Sequence, residues 1–114
     1  MQEYLEKYRH DFAIIRETAA QLIKDFNVAG FEVTFSGNEL TAYEELKNQI
    51  EPVLYDLFRN NLSQFQSLLY RIDLDERLLS DTLKNSEGSS FSSTLAELVL
   101  NREFQKVLTR RFYS

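Results

Sequence analysis

LEKYRHDFAIIRETAAQLIKDF, residues 5–26, is the stretch on which the reading of the fold turns. Its apolar positions Leu5, Tyr8, Phe12, Ile15, Ala19, Leu22 and Phe26 follow one another at alternating steps of three and four. That spacing returns to one side of an α-helix on every turn, so the stretch predicts a helix with a single buried seam. Ile14 and Ile23 widen the seam, while Glu6, Lys7, Arg9, Asp11, Arg16, Glu17, Lys24 and Asp25 are assigned to the solvent side. Gly30 follows the last seam residue and is placed to end the helix in a left-handed conformation, which costs a glycine nothing sterically.

Downstream, Phe31, Val33 and Phe35 alternate with Glu32, Thr34 and Ser36. Period-two alternation is a strand pattern, and a strand needs a partner for its backbone groups. Tyr70–Leu74 alternates in the same way and could supply one, as could the same segment of a second subunit. Otherwise residues 31–36 are an extended connector whose apolar side chains plug the bundle.

The next stripe is helical: Leu40, Tyr43, Leu46, Ile50, Val53, Leu54, Leu57 and Phe58. Asn38 can cap it, or Thr41 with Glu44 can form a capping box one turn later. Pro52 lies inside it and lacks an N–H, so a kink or a fresh start is expected near Ile50–Glu51. Leu62, Phe65, Leu68, Leu69 and Ile72 continue the pattern, with Asn60 and Asn61 either separating two helices or lying exposed in one. Asp73 with Glu76 resembles a cap for a short helix that turns Leu74, Leu78, Leu79 and Leu83 inward. After a polar loop over residues 85–93, Thr94 with Glu97 opens a last helix carrying Leu95, Leu98, Val99, Phe104, Val107 and Leu108. The expected fold is all-α: a small bundle of four to five helices with room for one short β element near residues 31–36, forming a single domain over 1–114.

Composition narrows the chemistry. The 114 residues include no cysteine, which removes disulfides, thiolate metal sites and cysteine nucleophiles and favours a reducing cytoplasm. The charged opening segment lacks the apolar stretch of a signal sequence, so none is expected there, and no apolar run approaches the roughly 18–20 residues needed to span a bilayer. A cytoplasmic protein without membrane insertion is therefore expected. The sole histidine, His10, cannot build the usual zinc or di-iron sites, and reads as a solvated side chain. Asp73, Asp75 and Glu76 lack the glycine and the distal Glu of a calcium loop. Three scattered glycines form neither a phosphate loop nor a nucleophile elbow. No catalytic residue, metal ligand or cofactor is assigned, and the reading leans away from an enzyme. A carboxylate-dependent activity in an interhelical pocket is the catalytic alternative.

The net charge of −5 is unevenly distributed. Residues 1–101 carry nine Lys/Arg against 17 Asp/Glu, whereas residues 102–114 carry Arg102, Lys106, Arg110 and Arg111 against Glu103 alone. An acidic body speaks against general nucleic-acid binding, because phosphate neutralisation needs a basic footprint. The four basic residues are the candidate anion or partner contact. As ordinary surface chemistry they would complement the helix dipole and pair with the acidic second helix, Glu39, Glu44, Glu45, Glu51 and Asp56.

Large apolar side chains are in surplus for one small bundle. The leading expectation is therefore a non-enzymatic helical protein acting through protein–protein contacts, in its simplest form a homodimer, with Phe31, Val33 and Phe35 as candidate dimer contacts. The alternative is a nucleic-acid or ribosome-associated accessory using the basic face of the last helix.

Overall fold

A computed structural model describes residues 11–84 and 91–113. Among the described residues there are five α-helices, α1 (Phe12–Val28), α2 (Ala42–Asn60), α3 (Leu62–Ile72), α4 (Glu76–Lys84) and α5 (Phe91–Tyr113), with one 3₁₀ turn at Glu39–Thr41 before α2. The fold is all-α, and among the described residues there is no strand. None of the described helices is long and apolar enough to cross a membrane.

The seam at residues 5–26 does not form one uninterrupted helix. Asp11 is extended (φ −87°, ψ 93°) and its side chain accepts the Ile14 N–H, so α1 has its N-terminus at Phe12. An aspartate is a strong N-cap, and its local hydrogen bond overrides the continuous heptad pattern. Leu5, Tyr8 and His10 lie outside the described residues. The far end of α1 closes as expected: Gly30 has φ +95°, Phe31 N–H bonds to Phe26 C=O and Gly30 N–H to Asn27 C=O. This pair of bonds is a Schellman closure, and Phe31 packs half-buried against the apolar cluster that contains Phe26.

Residues 31–36 are an extended connector and not a β element. The segment's need for a partner is met by side chains of α2. Gln49 accepts the Thr34 N–H at 2.9 Å and donates to Thr34 C=O at 2.7 Å, so its amide replaces a neighbouring strand. Glu45 accepts both the N–H and the hydroxyl of Ser36 through its two carboxylate oxygens. Tyr70–Leu74, the other candidate strand, is the last turn of α3 and the left-handed turn that closes it.

α2 runs through Pro52 without a break. Pro52 and Asn48, whose carbonyl loses its i+4 donor, both lie on the exposed side, where water can hydrogen-bond that carbonyl. Asn61 separates α2 from α3 and caps the latter by accepting the Gln64 N–H. Asn38 caps the 3₁₀ turn, whereas Thr41 makes no capping bond.

Asp73 is not the cap of α4. It adopts φ +66° and closes α3, with Leu74 N–H bonded to Leu69 C=O and Asp73 N–H to Tyr70 C=O. Asp75 caps α4 instead, accepting the Arg77 N–H at 2.8 Å. The left-handed turn takes one residue of the acidic run, which moves the cap by two positions. α5 begins at Phe91, three residues before the expected Thr94.

α5 is the central helix. Its buried residues Leu95, Ala96, Val99, Leu100, Glu103, Phe104, Val107 and Leu108 go most of the way round it, because α1, α2, α3 and α4 all pack on it. α1 and α2 run antiparallel to it, as the pairings Glu17–Arg110, Asp25–Lys106, Lys47–Glu97 and Phe58–Phe91 require. The larger apolar cluster joins Leu22 and Phe26 of α1, Ile50 and Leu54 of α2, Leu68 and Ile72 of α3 and Leu95 and Val99 of α5. A smaller one joins Ile14 to Phe104, Val107 and Leu108.

Candidate functional site

Along α5, Glu103 and Lys106 fall where the two apolar clusters meet, and α1 brings Asp25 to the same level. Asp25 was assigned to the solvent side of its helix, yet it is 3% exposed, and Glu103 is 0% exposed. Lys106 Nζ lies 2.7 Å from Asp25 Oδ2 and 2.9 Å from Glu103 Oε1. Gln21 donates to Asp25 Oδ1 at 3.1 Å, and Arg71 of α3 approaches the same oxygen at 3.6 Å. Three helices thus meet on one buried acid–base cluster.

Its protonation follows from its surroundings. Burial works against the charged form of Asp25, but hydrogen bonds from Glu103, Lys106 and Gln21 outweigh it, and its pKa falls below the usual value. Glu103 goes the other way: burial first, then its hydrogen bond to the Asp25 carboxylate, push it up to about 8. Two carboxylates sharing one ammonium in an apolar layer cannot both ionise cheaply. As an anion Glu103 would leave both oxygens without a hydrogen bond of good geometry, Lys106 being only an ion-pair neighbour. As a neutral acid it donates to Asp25. At neutral pH the cluster therefore holds a neutral Glu103 between charged Asp25 and Lys106.

The four basic residues singled out in the sequence are brought together on α5, and each meets an acid. Arg102 donates through Nε to the Asp73 carbonyl at 2.7 Å and through Nη2 to its carboxylate at 2.8 Å. Arg110 bonds Gln21 and Glu17, and Arg111 bonds Glu17 at 2.7 Å. The Arg111 hydrogen bond is the main reason that Glu17 sits below the usual carboxylate range. These acids belong to α1 and to the α3–α4 turn, not to the second helix. α2 uses its own acids elsewhere: Glu51 on Lys47, Glu45 on Ser36, while Glu39 before it meets Arg16. Arg102, Lys106 and Arg110 also line a shallow depression of 360 Å³, with Thr109 and Tyr113.

Of the candidate dimer contacts, Val33 is buried in the protein's own core, and Phe31 and Phe35 pack half-buried against it. The exposed apolar surface lies elsewhere. Tyr55 and Phe58, three residues apart at the end of α2, are 42% and 41% exposed, and Leu62 at the start of α3 is 52% exposed. The Phe58 ring lies 4.6 Å from that of Phe91 at a tilt of 42° and meets Phe65 edge-on at 5.5 Å, which fixes it at the corner between α2, α3 and α5.

Sequence reasoning missed Asp25, Glu103 and Arg71. A signal for Glu103 existed: Val99, Leu100, Phe104 and Val107 surround it at i−4, i−3, i+1 and i+4, which places it on the apolar face. Among the described residues, no group of three or more His, Cys, Asp or Glu side chains is placed to hold a metal ion. Comparison with protein-family models, with curated proteins and with solved structures found no match, so the site is read from its own geometry.

Proposed function

We propose that the protein works by contact with another protein rather than by catalysis, and that the contact in its simplest form is with a second copy of itself. The observation that carries this reading is the exposed corner of Tyr55, Phe58 and Leu62. Aromatic and aliphatic side chains grouped at a rigid helix corner are what interface centres are made of. A twofold contact through one such patch is the commonest form of association.

Against catalysis stands the closure of the acid–base cluster. Glu103 and Asp25 have almost no contact with solvent, and Lys106 and Arg71 occupy the charged positions beside them. A general acid must reach a substrate proton, and these carboxyls instead hold helices together. The nucleic-acid alternative has less support, because Arg102, Lys106, Arg110 and Arg111 each have a carboxylate within 3.4 Å on an acidic protein.

Sedimentation equilibrium over a wide concentration range tests the proposal. A reversible dimer is expected, and the double variant Tyr55→Lys/Leu62→Lys, which alters two exposed side chains, should be monomeric with an unchanged helical spectrum. A strictly monomeric wild type, or a dimer indifferent to that variant, overturns it.

A further inference from the structure

We infer that the self-contact is antiparallel, with α2 of one protomer lying across α2 of its partner so that Asp56 of each copy meets Arg59 of the other. The inference rests on the reading above, that the Tyr55–Phe58–Leu62 corner binds a second copy, and adds what sets the direction of that contact.

Two charges stand beside the corner with no opposite charge from their own chain. Asp56 and Arg59 are both exposed near the end of α2. Arg59 Nη1 donates to the Tyr55 hydroxyl at 3.1 Å, and the guanidinium lies 5.6 Å from the centre of the Tyr55 ring. Asp56 Oδ1 accepts a side-chain N–H of Asn60 at 2.8 Å. Among the described residues, Arg59 has no carboxylate and Asp56 no cation within ion-pair distance, although the two are one turn apart. The basic residues of α5 differ, since each of Arg102, Lys106, Arg110 and Arg111 meets an acid.

Tyr55 and Asn60 hold the two side chains without neutralising them. A guanidinium has five N–H donors and a carboxylate two acceptor oxygens, so each keeps bonding capacity for a partner. The patch is complementary to itself in one direction only. A twofold axis along α2 sets each residue opposite its own copy, which brings Asp56 to Asp56 and Arg59 to Arg59. An axis across α2 at the level of Leu57 and Phe58 reverses the second helix and sets Asp56 opposite Arg59 twice. The two positions are separated by roughly 4.5 Å along the helix, so both pairs form within one contact. Exposed opposite charges add little affinity, whereas facing like charges exclude the parallel arrangement. The aromatic corner supplies the affinity and the charges select the direction.

The test is sedimentation equilibrium of the full chain. Asp56→Lys leaves two cations on the patch and Arg59→Glu leaves two anions, and each alone should weaken the dimer by roughly tenfold or more. Mixed in equal amounts, these two variants should recover a heterodimer, because every cation of one then faces an anion of the other. The exchange Asp56→Lys/Arg59→Glu in a single chain should restore the homodimer. Asp56→Asn serves if a reversal alters the helical spectrum, and should weaken the dimer several-fold at low salt but not at high salt. A wild type that stays monomeric overturns the self-contact and this orientation with it. A dimer that Tyr55→Lys/Leu62→Lys disrupts but neither reversal weakens overturns the antiparallel pairing alone. So do reversals whose mixture and whose exchange both stay monomeric.

Discussion

Replacing Glu103 by Gln should stabilise the protein at neutral and alkaline pH and flatten its pH dependence. Gln has the shape of the neutral acid, can donate to Asp25 as that acid does, and cannot ionise. In the wild type the group's pKa rises from 4.5 to about 8 on folding. Between these values the folded protein keeps a proton that the unfolded chain has lost, so stability falls as pH rises through this window. Below 4.5 both states are protonated and the contribution vanishes. At about 1.4 kcal/mol for each tenfold difference in proton affinity, the penalty reaches about 3 kcal/mol at pH 7 and levels off near about 5 kcal/mol above pH 8. Asp25 acts in the opposite direction, and its contribution is lost only as pH falls below its ordinary 3.8. The assay is urea unfolding followed by circular dichroism at pH 5, 6, 7 and 8 on both proteins, so that every other titration cancels in the difference. The variant should match the wild type near pH 5 and exceed it by a few kcal/mol at pH 8. Parallel stability curves, with the same offset at every pH, would show that Glu103 is not held neutral in the fold.

Lys106→Met keeps the packing of the stem and removes the ammonium. Asp25 is then left buried with the Glu103 and Gln21 hydrogen bonds and only the more distant Arg71 as a cation, and urea unfolding at pH 7 should register a loss of roughly 3–5 kcal/mol. A change within error would mean that Arg71 alone suffices. At Asp73, where φ is +66°, Asp73→Gly and Asp73→Ala both lose the side-chain contact with Arg102. The glycine variant should be the more stable of the two by about 1 kcal/mol, since only the alanine has a Cβ to strain; equal stabilities would place residue 73 outside the left-handed region in solution. Gln49→Ala should loosen residues 31–36 without unfolding the bundle. Hydrogen exchange at the Thr34 amide is expected to rise by roughly tenfold while global stability falls by about 1 kcal/mol or less, and an unchanged exchange rate would remove the side-chain clamp from the account.

The helices were legible because their apolar spacing is regular and their boundaries carry strong punctuation. Gly30 ends α1 and Asn61 caps α3 as their residue types suggest, each for a local reason contained within a few residues. What could not be read locally depended on partners distant in the chain. The alternation at Phe31–Ser36 is real, but its hydrogen bonds go to Gln49 and Glu45, whose availability only the packing of α2 reveals. Asp73 and Asp75 offer the same capping chemistry, and the choice between them was made by the way α3 ends. The four-residue steps of Arg102, Lys106 and Arg110 could be read along one helix, yet the acids that the basic residues of α5 meet come from α1 and the α3–α4 turn, up to 94 positions away. The buried Asp25–Glu103–Lys106 cluster was hidden for a related reason. A charged residue on an apolar stripe looks like a stripe edge until a second helix closes over it.

The functional reading rests on which surface remains open once the charges are paired and Phe31, Val33 and Phe35 are packed. Concentration-dependent NMR of the full chain addresses this most directly, because it locates a self-contact residue by residue. On raising the concentration, signals of Tyr55, Phe58 and Leu62 should shift and broaden together while those of Phe31–Phe35 stay constant. Spectra that do not change with concentration, or changes centred on Phe31–Phe35, would contradict the account.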